Sequence, residues 1–179
     1  MSNEKNANAG QNAMRGLAVE KLTLNIGVGG SGQPLENAKS LLKKITGRIP
    51  ATTYARDRNP VFKLRKGDAI GAKVTLRRAP AVELLKRGLE CIGRRLSSRS
   101  FDRRGNFAFG IREYIDFPGI KYDPQIGMMG FEIAVTMKRK GGERVLARRR
   151  GRVRPRRSYA VTKEESIEFV KNMFNVEVV

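Results

Sequence analysis

TTYARDRNPVFKLRKGDAIGAKVTLRR, residues 52–78, divides into two parts whose chemistry differs. The first is a basic loop carrying Arg56, Arg58, Lys63, Arg65 and Lys66, with Tyr54 and Phe62 set among the charges. The second, Ala69–Leu76, is half-alternating. Ile70, Ala72, Val74 and Leu76 fall on one side of a strand, and Gly71, Lys73, Thr75 and Arg77 fall on the other, because successive strand side chains point to opposite faces. A sheet with one apolar face and one Lys/Thr/Arg face, fed by a basic loop with aromatics, suits a polyanion. The competing reading is a solvated sheet face beside an ordinary loop, and the rest of the chain has to separate the two.

Upstream, Lys21–Val28 alternates Leu22, Leu24, Ile26 and Val28 against Thr23, Asn25 and Gly27, which predicts a strand. GVGGSGQP is a turn, and Pro34 suits the first position of a helix. Leu35, Ala38, Leu42 and Ile45 then recur at helical spacing, Leu41 widens the stripe, and Gly47 ends it. Ile49–Ala55 is a weaker strand. Downstream, Pro80 opens a helix expected over Ala81–Leu96, with Val82, Leu85, Leu89, Ile92 and Leu96 along one face.

SSRSFDRRGNFAFG leads into a strand at about Phe107–Asp116. PGIKYDPQIGMMG is a second loop before a strand at Phe131–Met137, where Phe131, Ile133, Val135 and Met137 oppose Glu132, Ala134 and Thr136. Thr162 and Glu165 form a capping box, followed by a helix with Ile167, Val170 and Phe174 as its apolar stripe. Val176–Val179 suits a short edge strand.

The order β-α-β-β-α-β-β-α-β is not a strict βα alternation. It predicts an α+β fold with a mainly antiparallel sheet, helices packed on one face and the other face free. Residues 1–14 read as a disordered polar tail and residues 15–179 as one domain. Within that domain, 138–158 is an arginine-rich arm with one acid, Glu143, and no periodic apolar face, expected to order on its partner.

The 179 residues hold 37 Lys+Arg against 17 Asp+Glu, a formal net charge of +20. Self-repulsion on that scale disfavours a compact monomer and a polyanion relieves it, so nucleic acid is the first partner to consider. No apolar run is long enough to span a membrane, and no signal-peptide core opens the chain. With one cysteine and no histidine, an intramolecular disulfide, most zinc patterns and the usual general base are missing. Cys91 reads as a small core group rather than a reactive thiol.

Gly27-x-Gly29-x-x-Gly32, between a strand and a helix, imitates a dinucleotide-binding fingerprint. That fingerprint needs an acid about twenty residues on, where this chain has Ala51, Thr52 and Thr53. The glycines fit a tight turn or a close approach to phosphate better. Glu113, Asp116 and Asp123, beside Arg112 and Lys121, read as salt-bridged surface acids. With no nucleophile–base pair and no metal cluster in the sequence, an enzyme, a cofactor and a metal are not expected.

Asn25 and Thr75 on the polar faces of two strands, and Phe62 and Tyr54 among cations, together favour a structured RNA. At this point KLTLNIGVG, the Thr46–Pro50 turn, AR…FKLRKGDAIGAKVTLR, SFDRRGNFAFGIREYIDFP and IKYDPQIGMMGFEIAV resemble the universal 5S rRNA-binding family, protein five of the large ribosomal subunit. The matching segments span Lys21 to Thr136, and the pattern continues to the C-terminus. YDPQIG and the basic stretch after Met137 are most similar to archaeal-type members.

The resemblance implies a cytoplasmic structural constituent of the large subunit, placed in the central protuberance with its sheet against 5S rRNA. Family positions that touch 5S rRNA fall on Asn25, Phe62, Thr75 and Arg48, the last standing where many members have glutamine. Lys63, Arg65, Lys66, Lys73, Arg77, Arg148, Arg149, Arg150 and Arg152 are expected on rRNA phosphates. The loop with Tyr54, Arg56, Arg58 and Asn59 resembles the one that approaches P-site tRNA. Phe117–Met129 resembles the side that bridges to small-subunit protein thirteen. Large-subunit rRNA and other central-protuberance proteins are further implied partners. The alternatives are a general RNA- or DNA-coating protein and, further off, a dinucleotide-binding enzyme.

Overall fold

Leu22, Leu24 and Ile26 are buried while Thr23 and Asn25 between them stay partly open to solvent, so the alternation does produce a strand with one inward face. The computed structural model describes residues 14–141 and 160–179. The expected polar tail lies outside these apart from Met14, and the arginine-rich arm lies outside them apart from 138–141 and so includes Arg148, Arg149, Arg150 and Arg152.

In chain order the elements are β1 (Leu17–Gly27), α1 (Gln33–Thr46), β2 (Ala51–Tyr54), β3 (Ala69–Leu76), α2 (Ala79–Cys91), β4 (Arg95–Leu96), β5 (Phe107–Ile111), β6 (Phe131–Arg139), α3 (Lys163–Phe174) and β7 (Glu177–Val178). The main sheet runs β2-β3-β1-β6-β5 with every neighbouring pair antiparallel. Helix α1 packs on β3 and α2 on β1. Leu41, Leu42, Leu85 and Leu89 from the helices meet Leu24, Val74, Ile133 and Val135 from the sheet in one apolar cluster. Val170 and Phe174 bring α3 into the same cluster. The class is α+β, as the element order predicts.

Local chemistry explains the ends. Gly47 closes α1 in the left-handed conformation, φ 67°, and donates its N–H to the Lys43 carbonyl, an arrangement a residue without Cβ adopts freely. The Thr162 hydroxyl accepts from the Glu165 amide while the Glu165 carboxylate accepts from the Thr162 amide, so the capping box is formed.

The ends of two elements differ from the sequence expectation. Helix α2 stops at Cys91 rather than Leu96: Gly93 and Arg94 take φ of 63° and 56° and turn the chain. Leu96 is buried from the short strand β4 instead. Strand β5 ends at Ile111 rather than Asp116, and a 3-10 turn at Tyr114–Asp116 buries Tyr114. The C-terminal stretch does form a short edge strand, Glu177–Val178, which pairs parallel with β4 in a separate two-stranded ladder.

The topology also disposes of the glycine fingerprint. A dinucleotide fold needs β1 and the strand after its helix to run parallel in one βαβ unit. Here β2 runs parallel to β1 but is not its neighbour: β3 is inserted between them, antiparallel to both, so β1, α1 and β2 do not form the adjacent βαβ pair that a dinucleotide crevice uses. The amides of Val28 and Gly29 both donate to the Ile70 carbonyl, at 2.9 and 3.0 Å, so they do not face a phosphate.

Candidate nucleic-acid interface

The helices cover one face of the main sheet, and the register states what lies on the other. Ala51, Lys73, Asn25, Glu132 and Gly110 form one row across the five strands. Thr75, Thr23, Ala134 and Ala108 form the next. Lys73, Thr75, Glu132, Ala134 and Ala108 are exposed, and Asn25 and Thr23 are half-buried. The hydroxyls of Thr23 and Thr75 lie 3.5 Å apart. The alanines and the glycine in these rows leave the face low in relief, with Lys73, Thr75, Asn25 and Glu132 as its principal polar projections. Asn25 and Thr75, matched by resemblance to RNA-contacting positions, therefore lie close together on an unburied surface. Arg77 continues β3 outward, where its Nη1 lies 3.3 Å from Glu20 Oε1.

Strand direction sorts the loops between the two ends of the sheet. At the end where β1 finishes at Gly27 and β3 begins at Ala69, the 55–68 loop, the glycine turn and the 112–130 connection gather. The basic loop is built as a hairpin. Asn59 and Leu64 exchange both backbone hydrogen bonds at 3.0 Å, and Lys63 N–H donates to the Pro60 carbonyl at 3.1 Å. Asn59 Oδ1 accepts from Val61 N–H at 3.1 Å, so this side chain sets the turn. Asp68 holds the base of the loop by accepting from Arg65 N–H at 2.7 Å.

The tip therefore presents Val61 and Phe62 to solvent, 84% and 69% exposed, with Tyr54 61% exposed at the end of β2. These side chains take no part in the core. Arg58, Pro60, Lys63, Leu64 and Arg65 line an open hollow of about 560 Å³ beside it. Arg56 and Lys66 are exposed on the same loop.

Arg48 is exposed just past the cap of α1, where its N–H donates to Thr46 Oγ1 at 3.2 Å. It precedes Ala51 and so lies off the end of β2 remote from Phe62. Of the four positions carried over, Asn25 and Thr75 share the face, while Phe62 and Arg48 stand off opposite ends.

The 112–130 connection is tied down locally. Tyr114 Oη accepts from Asp123 N–H at 2.9 Å, and Asn37 Nδ2 donates to the Gln125 carbonyl at 2.9 Å. The Asp123 carboxylate pairs with Lys44, and this hydrogen bond, with another from Gln125 N–H, holds its carboxyl below the usual range. Tyr122 and Met128 project from the loop, each 54% exposed.

Cys91 is half-buried, its Sγ 3.3 Å from the carbonyl oxygens of Arg87 and Asp116. Burial first, then the Asp116 charge, pushes its thiol up from the ordinary value. That disfavours the reactive thiolate and accords with a small core group.

Alternation alone placed Glu132 on the polar face, but its position opposite Asn25 emerges only from the strand register. Of the glycines that surround it, Gly27 drew notice only as part of the fingerprint spacing, and Gly110 and Gly130 carry no signal in composition or spacing.

Two family models match the chain: "Ribosomal protein L5" over residues 12–65 and the C-terminus model of the same ribosomal family over residues 69–169. Curated relatives are similar over nearly their whole length. "Large ribosomal subunit protein uL5" of Sulfurisphaera tokodaii is 46% identical over 94% of this chain and 95% of its own. The protein of the same name in Sulfolobus acidocaldarius is 45% identical over 94% of each chain. That of Methanoregula boonei is 41% identical over 92% of this chain and 99% of its own.

Proposed function

The chain belongs to the ribosomal L5 family in its archaeal form, and from that premise we propose that its open sheet face and basic hairpin dock 5S rRNA in the central protuberance. The coarser role follows from membership itself: a structural constituent of the large ribosomal subunit in the cytoplasm, binding rRNA, and not an enzyme. The observation that carries the finer reading is the unburied row of Lys73 and Asn25, with Thr75 beside it, on a chain of net charge +20.

Lysine and arginine supply affinity by displacing counterions from RNA phosphates. Lys63, Arg65, Lys66, Lys73 and Arg77 are the described residues for that task, and Arg148, Arg149, Arg150 and Arg152 extend it into the arm. Asn25 and Thr75 set register through hydrogen bonds, Phe62 offers a plane on which an unpaired base stacks, and Arg48 adds a contact at the other end. The hairpin with Tyr54, Arg56, Arg58 and Asn59 faces the elbow of P-site tRNA. The 112–130 connection, with Tyr122 and Met128 exposed, meets small-subunit protein thirteen. Large-subunit rRNA and other central-protuberance proteins complete the surroundings.

The test is competition. Labelled 5S rRNA bound to the full chain is challenged with excess bulk tRNA and with duplex DNA across a salt series. Retention of 5S rRNA against both, with affinity falling steeply as salt rises, supports the reading. Equal displacement by any polyanion means a general coating protein and overturns the 5S assignment.

A further inference from the structure

Asn25, Gly27, Gly110, Arg112, Gly130 and Glu132 frame an open depression of about 510 Å³ at the sheet end where β1 and β5 finish and β6 begins. Its glycines are of two kinds. A Cβ at Gly130 would come within 2.7 Å of the Arg112 carbonyl oxygen and 2.9 Å of that of Ile111, so packing accounts for glycine there. At Gly27 and Gly110 a Cβ would meet nothing within 4 Å, and neither residue has a positive φ. Neither backbone conformation nor any neighbour requires glycine at these two places, although glycine weakens a strand interior. A strand glycine marks a bulge, a bend or the close approach of a ligand or another backbone, and the ladders show no register shift at Gly27 or Gly110.

The second observation is the sign of the charge. Glu132 stands in the same row as Lys73, on the polar face of a chain of net charge +20. It repels phosphate. Asn25 Nδ2 is 3.5 Å from its Oε2, long for a hydrogen bond. No Lys or Arg pairs with it among the described residues. The carboxylate therefore offers two adjacent acceptor oxygens to whatever enters the depression.

Two side-by-side acceptors select two side-by-side N–H donors. Among the four RNA bases, guanine alone carries these on its Watson–Crick edge, at N1 and the N2 amino group. Adenine and cytosine set one amino group beside an acceptor ring nitrogen, and uracil sets its N3–H between two carbonyls. Each of the three would turn a lone pair toward the carboxylate. We propose that Glu132 binds the Watson–Crick edge of an unpaired guanine lying over Gly27 and Gly110, with Arg112 at the rim taking an adjoining phosphate. This rests on reading the sheet face as the RNA-binding face, and it names the base that the face selects.

The test is chemical probing with kethoxal, which forms its adduct across N1 and N2 of unpaired guanines. The full chain is bound at saturation to 5S rRNA and, in parallel, to total large-subunit rRNA. With the wild-type chain, a guanine reactive in free RNA is expected to become protected. The same guanine should regain reactivity with Glu132→Gln and with Gly110→Ala, and both variants should bind about tenfold more weakly while unfolding at the wild-type temperature. Identical guanine protection by the wild-type chain and Glu132→Gln overturns the proposal, whatever Gly110→Ala does. Binding to large-subunit rRNA without binding to 5S rRNA overturns the choice of RNA made above, and the guanine pattern on the bound RNA still decides this proposal. Binding to neither RNA overturns both.

Discussion

The Arg139 guanidinium sits with Nη2 2.8 and 2.7 Å from the two carboxylate oxygens of Glu165, joining the end of β6 to the first turn of α3. The same guanidinium donates to the carbonyls of Arg15, at 3.0 Å, and Ala160, at 3.3 Å. Lys140 and Gly141 donate backbone N–H groups to the carbonyls of Gly16 and Met14. One arginine, 13% exposed, therefore gathers the chain before β1, the residues on both sides of 142–159, and the helix that follows.

Burial opposes the charge on Glu165, but hydrogen bonds from Arg139 and Thr162 outweigh it and hold the carboxyl below its ordinary value. A carboxyl lowered by folding stabilises the fold above its unfolded value, and this contribution fades as pH falls through the folded value. Glu165→Gln keeps a polar partner for the cap and loses the ion pair. Because Glu165 is 41% exposed and solvent screens the pair, the expected loss is about 1 kcal/mol at pH 7. In urea titrations the gap between wild type and Glu165→Gln should narrow from pH 7 to pH 3. A constant gap refutes the linkage.

Gly105 joins the turn after Phe101 to α3. Its φ is +71°, and a Cβ there would collide with Ser166 Oγ and lie 2.8 Å from Val161 Cγ1 and 2.9 Å from the Thr162 carbonyl oxygen. Gly105→Ala combines left-handed strain with overpacking, so a loss of about 2–4 kcal/mol is expected in chemical denaturation. Asp102 shapes this turn. Burial works against its charge, but hydrogen bonds from Asn106 and Arg104 prevail and hold its carboxyl low.

Phe62→Ala should leave the unfolding midpoint unchanged, since the ring lies outside the core. Its effect belongs to RNA binding, about 1–3 kcal/mol if a base stacks on it. A binding curve identical to wild type would remove Phe62 from the interface.

Lys73→Ala is expected to lower the slope of log K against log salt by about 0.7–0.9, the share of one phosphate contact. Filter binding at several salt concentrations measures this directly, and an unchanged slope shows that no phosphate lies over the middle of the sheet.

Cys91 in the folded chain should react with iodoacetamide at neutral pH more slowly than a free thiol, and at the ordinary rate after unfolding in urea. Fast labelling of the native chain would contradict the raised thiol value.

Strand β3 is legible to the residue because Ile70, Ala72, Val74 and Leu76 recur with a period of two, although burial alternates strictly only from Ala72 to Leu76. Strand β1 begins at Leu17, ahead of the expected Lys21, because a register shift between Val19 and Lys21 interrupts the period of two. Ile92 and Leu96 continue the stripe of α2, so periodicity extends that helix too far. What ends it is backbone conformation at Gly93 and Arg94, which an apolar pattern does not carry. The site divides along the same line. Asn25 and Thr75 follow from alternation within single strands, whereas the row from Ala51 to Gly110 needs the order of five strands and their registers.

Strand β2 is the outer margin of the sheet, and it is four residues long and follows Pro50. At the opposite margin, Phe101 bridges the first residue of β5. A ribosomal protein must survive between synthesis and assembly as a solitary molecule, when another copy can zip onto any long bare border. Stunted at one rim and partly fenced at the other, this sheet gives such a copy little purchase, so the broad surface proposed for RNA does not also make the unassembled chain prone to clump.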